Sequence, residues 1–395
     1  MTATALIDEG AAARGRYAVA AMFWVNGFLM GSWAPQIPFM LSRHQITETT
    51  LGMLILLIGA GAIAAMTGTG WLINAYGSRK VSAAFAVAGC ALFALVVLAP
   101  TIPLAIPALA LMGACIGAMD VAMNANAVEV ERRLNAAIMS ASHGFWSLGG
   151  FIGGAAGGWL ISNFGVAAEA LSVAGASLLV LLAAVPFLVT EAHHQEAQAA
   201  KPSYAWPKGA AIYVIGFMAL FCMIPEGAVL DWAALYLGKE LGADIAVSGL
   251  AFALFSGAMA IMRFLGDAVR NRFGAGPTMR ASALVAAAGM LAGGLAPSAP
   301  LAIAAFALAG LGIANTVPIA FSAAGNQPGV SPGAGISAVT MIGYSGILVA
   351  PTSIGFVAER IGFRVTFVAL ALLLVAVATL SGRVAAADRG NLAAA

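Results

Sequence analysis

Apolar residues in this chain run in long blocks rather than in the short periodic stripes of a soluble core. Twelve segments of about 20 or more residues are each long enough to cross a hydrocarbon layer about 30 Å thick. They lie near 16–41, 48–75, 79–100, 103–128, 137–163, 167–190, 209–237, 246–269, 278–297, 300–324, 334–358 and 362–383. The pattern predicts an all-α integral membrane protein with twelve transmembrane helices. Its widest polar interruption, EAHHQEAQAAKPSYAWPK at 191–208, separates two sets of six. We therefore expect an N-terminal six-helix bundle over 1–190, a linker over 191–208 and a second six-helix bundle over 209–395.

The two sets resemble each other. Sliding the chain on itself by 197 positions lays Gly113 on Gly310, Ser140 on Ser337, Ala141 on Ala338, Gly149 on Gly346, Gly158 on Gly355 and Gly165 on Gly362. Such an offset, near half the length, is the signature of an internal duplication that makes two pseudo-symmetric halves.

Composition sharpens this picture: of 395 residues 62% are hydrophobic and 9% charged, where a soluble domain carries roughly 25% charged residues. The placement of the charges sets orientation. Arg14, Arg16, Arg79, Lys80, Arg132, Arg133, Lys201, Lys208, Arg263, Arg270, Arg272, Arg280, Arg383 and Arg389 fall on one side of the predicted weave, and Arg43, Lys239, Arg360 and Arg364 on the other. Basic residues favour the cytoplasm, so both termini are expected inside, in a bacterial inner membrane. The start of the chain has no cleavable-signal pattern. Cys90, Cys115 and Cys222 sit in apolar runs without metal-ligand spacing and read as small core residues. A glycine pattern at Gly59 and Gly61 lacks the βαβ context of a dinucleotide site. No metal, cofactor or nucleic acid is expected, nor any enzymatic activity.

The stretch Gly113–Gly158 carries the sharpest chemistry. Gly113, Gly117, Asp120 and Asn124 share one helical face, and an ionisable group inside an apolar span is by default a functional candidate facing the bundle interior. His143 on the next span lies about as far back from the intervening turn, so Asp120 and His143 are expected to meet at one depth, where His143 accepts a proton or binds a substrate hydroxyl. The plainer alternatives are a structural acid and a packed neutral histidine. Span seven adds Glu226, deep in the segment, and Asp231, nearer the outer end, which is expected to join the substrate lining or to form a gate ion pair with Arg43 or Lys239. Asn26, Trp33, Gln36, Asn124, Trp146, Trp232, Asn315, Thr340 and Tyr344 complete a polar and aromatic lining suited to a hydroxylated solute. Asn126 also reads as lining.

The turn after span two, Gly70 to Lys80 with Leu72, Asn74, Gly77 and Arg79, resembles the GxLxDxxGRRK signature of the major facilitator superfamily. Leu265, Gly266, Asp267, Arg270, Arg272 and Gly274 resemble its repeat after span eight. The signature's acid is Asn74 here. Gly117 to Asn124 followed by Arg132, Arg133, Leu134 and Asn135 is similar to the fucose permease branch. The segments around Glu226 to Trp232 and His143 to Trp146 look like neighbouring permeases that include rhizopine-transport relatives. The resemblance implies a secondary transporter working by alternating access, with Asp120 as proton carrier and a gate of Asn74, Arg79, Arg132, Arg133, Arg263 and Asp267; the residues themselves suggest His143 or Glu226 as assisting groups in proton coupling. The resemblance also implies Asp267 pairing with Arg263 or Arg270, and a monomer with a small solute and protons as partners. That branch's first-span acid has no counterpart, since Gly31 and Ser32 stand there. Two readings of direction follow: proton-coupled uptake of a sugar-like or polyol-like solute, or export by proton antiport. The ladder Gly149, Gly153, Gly154, Gly157 and Gly158 approximates an antiporter motif with glycine in place of its proline, although close helix packing explains it equally. A non-transporting membrane sensor is the reading from another class.

Overall fold

In the computed structural model, residues 3–134, 138–190, 209–330 and 332–388 are described, and every long element is a helix. The first six are α1 (Ala3–His44), α2 (Glu48–Tyr76), α3 (Ser78–Leu98), α4 (Ile102–Leu134), α5 (Met139–Phe164) and α6 (Val166–Ala184). After the linker come α7 (Ala210–Leu241), α8 (Ile245–Phe273), α9 (Ala275–Leu295), α10 (Ala299–Ile313), α11 (Thr316–Gly325), α12 (Pro332–Ile361) and α13 (Phe363–Leu380). Helices α10 and α11 form one rod with a break at Ala314 and Asn315, so twelve rods result, as the hydropathy pattern predicts.

Among the described residues, ten stretches are long and apolar enough to span a membrane. Helices α1 and α5 are not among them, because Asn26, Ser32 and Gln36 interrupt one, and His143, Ser147 and the glycine ladder the other. Their neighbours supply the apolar surround. Helix α5 packs chiefly on α1 and α8, and α1 also touches α4, α6, α7 and α8. By contrast Leu171, Leu179 and Leu182 on α6 and Leu372 on α13 are exposed, as lipid-facing residues are.

The duplication is visible in the packing. Within the first set α1 packs on α5 and α2 on α4; within the second, α7 packs on α12 and α8 on α10. A side chain at Gly113 would strike the carbonyl of Ile58, and one at Gly310 that of Phe255. Between the sets, Gly158 abuts the carbonyl of Ile245 and Gly355 that of Glu48. Each of these contacts maps onto its twin at the same offset of 197.

The two ends of the assembly differ. At the end away from the termini, Lys239 pairs with Glu48 across the sets, Thr49 N–H donates to Glu359 Oε2 at 3.1 Å and the Thr352 hydroxyl donates to the Gly52 carbonyl at 3.2 Å. This end is closed. Towards the termini, α2 turns from largely buried to largely exposed beyond residue 61, and Gly68 and Gly70 have nothing within 4 Å of a would-be side chain.

Candidate functional site

A chain of polar contacts crosses the middle of the molecule. On α1, Asn26 is 2% exposed; its Nδ2 donates to the Ile116 carbonyl of α4 at 3.3 Å, while its Oδ1 accepts from Trp146 Nε1 of α5 at 2.9 Å. The next residue, Ser147, accepts from Arg263 Nη1 of α8 at 2.6 Å, and its carbonyl accepts from Ser256 Oγ at 2.8 Å. Arg263 also faces the Trp146 ring at 5.9 Å and stands 3.6 Å from Glu226 Oε1 of α7. A half-buried guanidinium on one set is thus held by both sets at once.

Asp120 stands on α4, part-buried, and Asn124 Nδ2 reaches its carbonyl at 2.9 Å and its Oδ1 at 3.4 Å. No cation pairs with it among the described residues. Tyr344 of α12 is half-buried near the middle of its helix. Thr340 is half-buried one turn before Tyr344 on the same helix.

Several sequence expectations are corrected. Asp120 and His143 do not form a pair: α1 lies between α4 and α5, which scarcely touch. His143 packs edge-on against Phe23 at 5.0 Å, within reach of the Arg263 charge. Arg263 lies deeper than the helix end where a gate was expected, because α8 continues ten residues beyond it to Phe273 and its partner Glu226 is midway along α7. Gln36 leaves the lining and donates to buried Glu169 of α6. Trp33 is buried at 1% exposure beside it, and Trp232 packs on the Phe363 ring at 5.7 Å. Asp231 is buried without the expected gate partner, since Arg43 donates to the Val97 carbonyl and Lys239 pairs with Glu48. Asn126 ties Ser78 to the Val189 carbonyl, both at 2.8 Å, and is structural. Asn315 sits at the helix break with Oδ1 against Gly266, its Nδ2 buried and unpartnered.

Of the remaining gate residues, Arg79 reaches Thr190 Oγ1 at 3.5 Å, and Arg133 pairs with Glu129 at 2.9 Å and donates to the Thr190 carbonyl at 2.7 Å. The side chains of Asn74, Arg132 and Asp267, and the linker 191–208, lie outside the described residues. Sequence reasoning missed Ser147, Ser256, Glu48 and Glu169. Glu169 was findable, as an acid within an apolar span.

The Major Facilitator Superfamily model matches residues 19–230 and again 209–392. The chain belongs to the major facilitator superfamily. It is 36% identical over 364 residues to an uncharacterized MFS-type transporter of Yersinia pestis, covering 90% of this chain and 92% of that one. Among solved structures it is similar to a D-xylose-proton symporter (TM-score 0.72, 16% identity, 92% of this chain and 97% of that one). It is also similar to the nucleoside transporter NupG (TM-score 0.70, 14% identity, 93% and 98%). At these identities the likeness is one of fold.

The superfamily turns expected at Gly77 and Gly274 are present, with φ of 83° and 81° where glycine has no steric penalty. The ladder of this superfamily member serves packing: Gly149 and Gly153 meet α1, and Gly154 and Gly158 meet α8. As a multi-pass membrane protein it encloses its polar network between its two sets of helices.

Proposed function

We propose that the chain is a proton-coupled importer of a small polar solute, sugar-like or polyol-like, worked by rocking of residues 1–190 against 209–395. The observation that carries this reading is the Asn26–Trp146–Ser147–Arg263–Glu226 network, which spans both sets at mid-depth beside an acid, Asp120, that has no counter-charge among the described residues. Amides, an indole and a guanidinium suit hydroxyl groups by hydrogen bonding and stacking. A buried carboxyl without a partner cation is suited to carrying a proton, because the ionised form is costly there. The D-xylose-proton symporter is a neighbour in fold with compatible chemistry. The termini end is cytoplasmic by its basic residues, so the closed far end makes this an inward-facing state. The protein sits in the bacterial inner membrane and acts as a monomer.

The test uses proteoliposomes containing a pH-sensitive dye, challenged with a panel of sugars, polyols and nucleosides. Solute-driven acidification of the lumen is expected for one class, and Asp120→Asn should abolish the proton movement while leaving solute exchange. Proton-driven uptake that survives unchanged in Asp120→Asn would overturn the assignment of that residue. Net efflux driven by an inward proton gradient would replace import with antiport.

A further inference from the structure

Glu169 stands in the first turn of α6 with none of its surface exposed. Gln36 of α1 donates its amide to Oε2, and Oε1 is buried with no hydrogen-bond partner. That second oxygen faces the α5 ladder: a methyl group added at Gly157 would lie 3.1 Å from it. The Ser32 hydroxyl, on the same side of α1, is likewise buried and unpartnered, and a methyl at Gly153 would lie 2.9 Å from it.

The ionisable groups on the packed helices leave this acid without a counter-charge. Arg43 and His44 lie at the far end of α1, and Arg43 donates to the Val97 carbonyl of α3 at 3.0 Å. Helix α3 brings the Cys90 thiol midway, Arg79 and Lys80 of α3 and Arg14 and Arg16 of α1 stand at the opposite, termini end, and α5 brings among the described residues only His143, also towards that end. Beside Gln36, a narrow cleft of about 20 Å³, room for about one water, is lined by Trp33, Gln36, Met40, Arg43, His44 and Val166 at the far end.

We propose that Glu169 is a second proton-binding site, separate from the central one and filled from the far face through this cleft, with Gln36 as its positioning residue. The proton from a hydronium ion adds to Oε1, leaving water and a neutral carboxyl, while the Gln36 amide keeps its bond to Oε2. Its effect travels through α5. One row of the ladder, with Gly153 and Gly157, bears on Ser32 and Glu169; the adjacent row, with Gly154 and Gly158, bears on α8 of the other set. Neutralising the acid removes a charge from the α1–α5–α6 contact and so acts on the wall that also seals the far end. The proposal rests on the proton-coupled reading above.

The experiment treats the full-length protein in liposomes with dicyclohexylcarbodiimide, an apolar reagent that adds to protonated carboxyl groups, in mildly acidic and mildly alkaline buffer, and locates adducts by mass spectrometry. The expected result is an adduct on Glu169 formed several-fold faster in acid. Adducts confined to other carboxyl groups, or an adduct on Glu169 indifferent to pH, would overturn the proposal. Infrared difference spectra between the two buffers give an independent reading without any solute: a protonated-carboxyl band that Glu169→Gln removes and Asp120→Asn retains supports the site. Persistence of the whole band in Glu169→Gln overturns it. Failure of solute-driven proton movement in the parent protein, with the Glu169 band and adduct intact, would instead refute the transport reading alone.

Discussion

The two sets of six helices share a skeleton and not a chemistry. At the offset of 197 that superposes their glycine contacts, Asp120 stands opposite Val317, Glu226 opposite Leu29, Arg263 opposite Met66, His143 opposite Thr340 and Glu169 opposite Thr366. Backbone-to-backbone approaches need small residues at fixed places, so both copies keep them. Ionisable groups in an apolar interior are expensive, so each persists only where one copy uses it. In the first set Asp120 and Glu169 have no cation beside them among the described residues; in the second Glu226 has Arg263, while Asp231 is buried without one. On the proton-coupled reading proposed above, Asp120 and Glu169 are the groups that exchange protons and the Glu226–Arg263 pair keeps a charge in place.

Four substitutions break or sharpen this comparison. Arg263→Met, which gives the second set the residue of the first, should cost about 3–5 kcal/mol because Glu226 is left unpaired, and the double variant with Glu226→Leu should recover most of it. Thermal unfolding in detergent reads the difference, and an unaltered single variant would remove the pair from the argument. Gly158→Leu should strain the α5–α8 seam by about 1–3 kcal/mol, whereas Gly175→Leu, where a side chain meets nothing within 4 Å, should not. Alkylation of a cysteine introduced near Thr49 should quicken in the first and stay unchanged in the second. Asp388→Ala should cost about 1 kcal/mol, because both carboxylate oxygens accept from Ala275 N–H at 2.9 Å at the start of α9. A melting temperature equal to that of the parent would show the cap to be idle. Lys239→Gln is expected to have the smallest effect, about 0.2–1 kcal/mol, fading at high salt; salt-insensitive labelling at the far end would contradict it.

Much of this architecture was legible in the sequence, because length and hydropathy fix spans and a fixed offset between small residues exposes the repeat. The central residues were partly legible. Asp120 and Glu226 stand out as acids in apolar runs whatever their neighbours. Depth and direction were harder. Arg263 read as a gate charge because it stands one turn before Asp267 of the motif after span eight, yet the helix continues about 15 Å further, at 1.5 Å per residue, before it stops. Gln36 and Trp33 share the helix with Asn26, and only the rotation of α1 against α5 and α6 decides which of them turn inward. His143 failed to meet Asp120 because chain neighbours in this fold are not packing neighbours: α1 is threaded between them.

Each set also fastens itself with the few residues that follow its last rod. In the first, Val189 and Thr190 are gripped by Asn126, Arg79 and Arg133; in the second, Ala387 accepts from Arg270 at 2.5 Å and Asp388 holds Ala275. Among the described residues each fastening lies wholly within its own set. Severing the chain within 191–208 therefore leaves both clasps whole, and the two fragments, synthesised from separate messages in one cell, should find each other in the bilayer and rebuild the carrier.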